Sequence, residues 1–184
     1  DWQERAIPTS SLTRPSLTKE VRVSWIEDGS EEEPQVQMAH VLRLKVGEDD
    51  YWIHQCIALL LEHRIEDTHR QANVEIKFES DVVMGQFSTQ LFAPANRIAE
   101  IAHDVQQECK RITEEAVTVD ELNGIKSFLY DHYANVCGTH RDLVKLTEDE
   151  LKERLESVTA SDIRRVAHNI MRPANMHIAG QGTR

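Results

Sequence analysis

The segment from Leu155 to Gly180, L-E-S-V-T-A-S-D-I-R-R-V-A-H-N-I-M-R-P-A-N-M-H-I-A-G, leaves a chain few ways to fold. A Thr hydroxyl at a helix start accepts from the backbone three residues on, and an acidic side chain there reaches back. Thr159 and Asp162 have that spacing, so they cap a helix. Ile163, Val166, Ala167 and Ile170 then recur at helical period and give it one apolar stripe. Pro173 has no N–H to continue the ladder and stops the helix. Asn175 to Ala179 reads as a short closing strand. A helix with a stripe to bury, followed at once by a strand, requires a sheet that can receive both.

That sheet is legible upstream. Val21, Val23 and Trp25 alternate with Arg22 and Ser24, giving a first strand. Val36, Met38, His40, Leu42 and Leu44 alternate with Gln37, Ala39, Val41 and Arg43, giving a second. A helix from Tyr51 to Glu66 follows, apolar around most of its circumference, and such a helix packs on more than one side. Val74, Ile76 and Phe78 alternate with Glu75, Lys77 and Glu79, and a further strand spans Val83 to Phe92. Pro94 opens a helix with the stripe Ile98, Ile101, Ala102, Val105, Cys109 and Ile112. Thr118 and Glu121 cap the next, which carries Leu122, Ile125, Leu129, Tyr133 and Val136 and ends at Gly138. Thr147 and Glu150 cap a short helix with Leu151 and Leu155.

In this order the first two strands pair, a helix intervenes, a hairpin follows, then several helices and a last strand. Half-buried alternation predicts an α+β fold, a two-layer sandwich with a largely antiparallel mixed sheet and helices on one face. Residues 1–18, with Pro8, Pro15 and several Ser and Thr, read as a linker or extended arm, and residues 19–184 as one domain. The first residue is Asp1, so the chain is expected to be a processed or excised piece of something longer. A domain of 184 residues buries roughly 70% of its unfolded surface, enough for a substantial core.

The net charge of −11 repels phosphate backbones and argues against nucleic-acid binding. No stretch approaches the roughly 20 apolar residues of a membrane span. Glu31-Glu32-Glu33, beside Gly29 and Pro34, reads as a solvated turn. Cys56, Cys109 and Cys137 are far apart with no C-x-x-C pair, so neither a disulfide scaffold nor a cysteine zinc site is expected. Glycine is sparse and forms no phosphate-cradling loop.

The capped helix, Arg-Pro and final strand at Leu155–Gly180 resemble the end of a domain in the inverzincin zinc peptidases, which include insulinase, pitrilysin and the mitochondrial processing peptidase. Thr118-Val-Asp-Glu-Leu-Asn-Gly-Ile-Lys126 is similar to a helix start of that family, and Asp1 to Pro15 to the linker joining its two units. Together with element order, the resemblance covers nearly all of the chain from Lys19 onward. It implies the second, carboxy-terminal unit, which binds no metal itself.

The family's H-x-x-E-H zinc motif, two His ligands with Glu as base, occurs nowhere in the chain despite nine histidines. The resemblance therefore implies no cofactor and no catalytic residue here, with zinc expected in a partner domain. Second units carry an Arg and a Gly-Leu-Ala-Tyr-like stretch that face the substrate. Here Arg64 and Arg70 supply the Arg, and Asn73 stands where the Tyr is expected, so these three are the candidate substrate contacts.

Other polar groupings have plainer explanations. His63 and His69 point about a third of a turn apart and ~9 Å apart along a helix, which suits zinc poorly. His40 lies on the apolar face of its strand and is expected to be a hydrogen-bonded core residue. Asp131, His132 and His140 have no nucleophile elbow beside them.

The implied function is a wall of a peptide-enclosing chamber, partnered by the metal-binding N-terminal domain of the same parent or a paralogous subunit. Homo- or hetero-oligomerisation accompanies that reading, and peptide is the substrate. The alternatives are an inactive partner subunit or scaffold domain, and a free-standing ferredoxin-like binding domain.

Overall fold

Two periodicities, 2 for strands and 3.6 for helices, divide the described residues into ten elements. The computed structural model describes residues 22–27, 34–42, 50–70, 72–80, 85–134, 147–172 and 176–182. In chain order these hold β1 (Arg22–Ile26), β2 (Gln35–Leu42), α1 (Tyr51–Thr68), β3 (Asn73–Ser80) and β4 (Gly85–Phe92). They continue with α2 (Ile98–Glu114), α3 (Val119–Ala134), α4 (Glu148–Ser157), α5 (Ala160–Ile170) and β5 (Met176–Gln181). The expected linker at 1–18, the Glu31–Glu33 turn, Val136, Cys137, Gly138 and His140 lie outside the described residues.

The strands form one sheet in the order β1-β5-β2-β4-β3. β1 runs parallel to β5, and every other neighbouring pair is antiparallel. Opposed residues share a face, so register sorts the side chains. Val36↔Leu91, Met38↔Thr89 and His40↔Phe87 place one buried set together across β2 and β4. Val74↔Leu91, Ile76↔Thr89 and Phe78↔Phe87 extend it to β3, and His40↔Met176 to β5. The helices cover this face, and one core joins these strand residues to Ile57, Leu61, Ile101, Ile112, Leu151 and Ile163. Gln37, Glu75 and Lys77 have the opposite parity and lie on the face away from the helices. The result is the two-layer α+β sandwich that the patterning implies.

Each capping box read from the sequence is formed. The Thr147 hydroxyl accepts from the Glu150 N–H at 3.2 Å while Glu150 accepts from the Thr147 N–H at 2.9 Å. Thr159 and Asp162 repeat this at 3.1 Å in both directions, and Thr118 and Glu121 at 3.2 and 3.0 Å. The helix expected to open at Pro94 begins instead at Ile98, after a turn in which the Arg97 N–H donates to the Pro94 carbonyl at 2.8 Å. α1 buries Trp52, Ile53, Cys56, Ile57, Leu60, Leu61 and Ile65, a set that runs round the helix rather than along one stripe.

One pairing differs from expectation. β1 and β2 are not neighbours, because β5 lies between them and pairs with both. Alternation fixes which face a residue occupies but says nothing of which strand lies beside it. Val23, although it alternates correctly, stays 71% exposed at the sheet edge. Trp25 is half-buried and lies over Gly180, its partner in β5, while its indole N–H donates to the Gly182 carbonyl at 3.3 Å. A Cβ on Gly180 would stand 2.1 Å from Trp25 Cε3, so this crossing requires glycine. Gly182 follows at φ +136°, a conformation that L side chains rarely adopt, and its N–H returns to the Ile26 carbonyl.

Gly180→Ala is expected to force the Trp25 ring off β5 and to cost about 1–3 kcal/mol, the range for inserting a methyl group into close packing. Urea unfolding followed by tryptophan fluorescence measures this, and unchanged stability would contradict the packing described.

Candidate functional site

The C-terminal half of α1 and the turn into β3 carry Arg64, Arg70 and Asn73. Arg64 faces inward. Its Nε donates to Glu121 Oε1 at 3.0 Å, its second amine reaches the same oxygen at 3.0 Å, and the first stands 3.5 Å from Glu108 Oε2. That last contact is ionic without an aligned hydrogen bond, since neither atom has a hydrogen-bond partner. Arg64 thus ties α1 to α2 and α3, with only 13% of its side chain exposed. Burial opposes the charged form of Glu121, but the Thr118 backbone and hydroxyl and the Arg64 guanidinium outweigh it and hold the carboxyl below its ordinary value.

Arg70 is exposed beyond the end of α1, and Asn73 is exposed at the first residue of β3. Asn73 has the parity of Glu75 and Lys77, so it belongs to the face away from the helices. The three candidates therefore do not converge: Arg64 lies among the helices while Asn73 opens onto the far side of the sheet.

His69, between Arg64 and Asn73, is buried and closes α1. Its backbone N–H donates to the Ile65 carbonyl at 2.8 Å, and its carbonyl accepts from Ala72 at 2.9 Å. The ring lies 2.8 Å from Asp104 Oδ2 through Nε2 and 3.3 Å from Arg97 through Nδ1. A guanidinium only donates, so Nδ1 is the acceptor and Nε2 carries the hydrogen given to Asp104. His69 is thereby occupied on both nitrogens, and His63 instead meets the Phe128 ring edge-on at 6.0 Å. Among the described residues no group of three His, Cys, Asp or Glu side chains could hold a metal ion.

Residues 59–63 read Leu-Leu-Leu-Glu-His, which matches H-x-x-E-H in its last two positions and carries an apolar side chain in its first. Both residues are on α1. Glu62 is half-buried and accepts from the Ile76 backbone, while burial, the larger influence, raises its pKa. A quintet without its first histidine offers no pair of imidazoles to zinc.

His40 is a core histidine. It is buried, edge-on to Phe87 at 6.5 Å, with Nε2 unpaired. Burial, assisted by nearby His177, lowers its pKa from 6.5 to about 4. The thiols of Cys56 and Cys109 are buried and pushed up to about 12, so both behave as small apolar groups. Asp131 and His132 sit near the end of α3, with His132 stacked on Phe128 at 6.3 Å.

No family profile and no curated protein sequence matches this chain. Solved structures do. A protease from Helicobacter pylori aligns over 98% of this chain and 48% of its own, with a TM-score of 0.81 at 15% identity. A structure described as the inactive domain of a peptidase M16 from Pseudomonas fluorescens aligns over 93% and 45%, with a TM-score of 0.73 at 14% identity. A chain from complex III2 of Candida albicans, with Inz-5 bound, aligns over 88% and 46%, with a TM-score of 0.72 at 11% identity. The fold is that of the M16 peptidases, as the resemblance to the inverzincins implies, and the chain spans about half the length of the structures it matches. No helix among the described residues is long and apolar enough to cross a membrane.

Arg64→Ala leaves Glu108 and Glu121 without their shared cation and is expected to cost roughly 2–3 kcal/mol, between the surface and buried limits for ion pairs. Arg70→Ala should change urea stability by less than about 0.5 kcal/mol. For His40, the unfolded chain binds a proton near pH 6.5 and the folded chain only near pH 4. Stability should therefore fall as pH drops between those values, by up to about 3 kcal/mol at 1.36 kcal/mol per pKa unit. His40→Leu should abolish that part of the pH profile, and an unchanged slope would contradict it.

Proposed function

We propose that this chain is the second, metal-free unit of an M16-type peptidase or of its inactive partner subunit, and forms one wall of a chamber that encloses peptide. The observation that carries this is the pairing of two facts. The fold aligns with about half of each peptidase chain, one of them described as an inactive domain. The quintet on α1 has Leu59 where a zinc ligand would be needed.

In this reading zinc and the general base belong to a partner domain, encoded in the same parent or in a paralogous subunit. This chain contributes surface. Arg70 and Asn73, both exposed, are the residues proposed to touch an extended peptide. Arg64 acts through the helix packing that carries them. Main-chain pairing at a sheet edge would add affinity with little dependence on side chains.

A scaffold subunit is the second reading, favoured by the alignment with a chain of complex III2. The parent reading frame separates the two. An H-x-x-E-H before Asp1, followed by a distant Glu, supports the peptidase reading; its absence supports the scaffold.

For the chain alone, calorimetric titration with zinc is expected to give no stoichiometric binding, and incubation with a fluorogenic peptide no cleavage. One tightly held zinc per chain, or metal-dependent hydrolysis, would overturn the proposal. Joined to its partner domain, an Arg70→Ala/Asn73→Ala variant should raise the peptide KM several-fold without lowering thermal stability.

A further inference from the structure

The outer edge of β3 carries no strand among the described residues, yet it is not open. In an antiparallel pair, alternate residues turn both main-chain groups toward the neighbouring strand or away from it. The Phe78 carbonyl accepts from Gln55 Nε2 at 3.3 Å, and the Glu62 carboxylate lies against the Ile76 N–H, which favours its charged form. Residues 76 and 78 have the same parity, so both groups belong to the outward-facing set of β3. An incoming strand would need these same positions.

Gln55 and Glu62 are seven residues apart on α1, two helical turns, which places both on one face of the helix. α1 is held against β3 by His54, whose ring stacks on Phe78 at 4.5 Å, and by Tyr51, edge-on to the same ring at 5.9 Å. Gln55 and Glu62 are both half-buried, as groups seated on a strand edge must be. An unprotected edge is a site for strand addition and aggregation, and covering it with a helix is one of the ways proteins prevent this.

We infer that Gln55 and Glu62 plug the β3 edge, taking the hydrogen-bonding places of an absent strand so that no peptide or second copy of this chain can add there. Strand pairing by this domain, wherever it occurs, does not use β3. The inference rests on α1–β3 geometry alone and holds whether or not the parent protein cleaves peptides.

Amide hydrogen exchange on the intact chain tests it directly. The Ile76 amide should be protected in the native protein. Glu62→Gln, which keeps an acceptor oxygen, should retain the protection. Glu62→Ala should speed Ile76 exchange at least tenfold while the amides of β2 and β4 stay as slow as before. Equal Ile76 exchange in all three proteins would overturn the plug.

A second measurement reads the edge itself. A fluorescein-labelled peptide of the β4 sequence, G-Q-F-S-T-Q-L-F, is expected to leave the native chain unbound. Gln55→Ala/Glu62→Ala should bind that peptide or dimerise in sedimentation velocity. Binding to the native chain with slowed β3 amides would overturn the inference. So would a folded double variant that stays monomeric and binds no peptide. Should the double variant fail to fold, the Glu62→Ala and Glu62→Gln exchange rates decide.

Discussion

Helix α1 has no exposed residue from Tyr51 to Glu62, and the rest of the structure is arranged by that constraint. Its apolar residues run round the helix, so it must be covered by the sheet on one flank and by α2, α3 and α5 on others. Polar side chains on such a helix cannot be left unpaired without a desolvation cost of a few kcal/mol. Here they become tertiary links. Gln55 and Glu62 meet β3 and Arg64 meets Glu108 and Glu121, while His54 bonds locally to the Asp50 carbonyl one turn back. The Asp50 carboxylate, just before α1, receives Arg165 of α5 at 2.8 and 3.2 Å. Cross-links to β3, α2, α3 and α5 therefore converge on α1 or the residue before it, while α4 is tied to α3 through Lys126 Nζ and the Glu156 carbonyl.

The sheet depends on a second long-range event, the insertion of β5 between β1 and β2. β5 is the last strand made, and the one that joins β1 to the remainder. Its placement follows from α5, whose capping box starts the helix and whose residues Ile163, Val166, Ala167 and Ile170 seat it in the core just before the chain turns into the strand. The close crossing of Trp25 over Gly180 then sets how near β1 can lie. One pairing, β1 with β5, is parallel, because the two ends of the domain enter the sheet in the same direction.

These features bear on function through what the domain presents outward. The helix-covered face is closed by core, and the β3 edge is occupied by α1 side chains. The polar side chains of Gln37, Glu75 and Lys77 lie on the opposite face with Asn73, and Arg70 is exposed beside it. Among the described residues no three His, Cys, Asp or Glu side chains come together to hold a metal ion, and burial raises the pKa of the Cys56 and Cys109 thiols. The fold is shared with halves of M16 peptidase structures.

Local chemistry was sufficient for much of this architecture. Three capping boxes, the period-2 strands around Val74–Phe78 and the stripes of α2 and α5 are set by residues within a few positions of each other, so they read directly from sequence. The last two letters of the α1 quintet were equally legible, and only the missing histidine at Leu59 hid them. Neighbourhood was not. Alternation could not say that β5 parts β1 from β2, because a side chain's face is a local property and its neighbouring strand is not. Nor could it say that Arg64, read as a substrate contact, would be enclosed by two carboxylates from other helices, or that His69 would be held between Asp104 and Arg97. The sequence by itself determined which groups each element would carry and which face they would take. The tertiary structure alone decided which of them meet, since those meetings join residues 23 to 157 positions apart and depend on how the layers close.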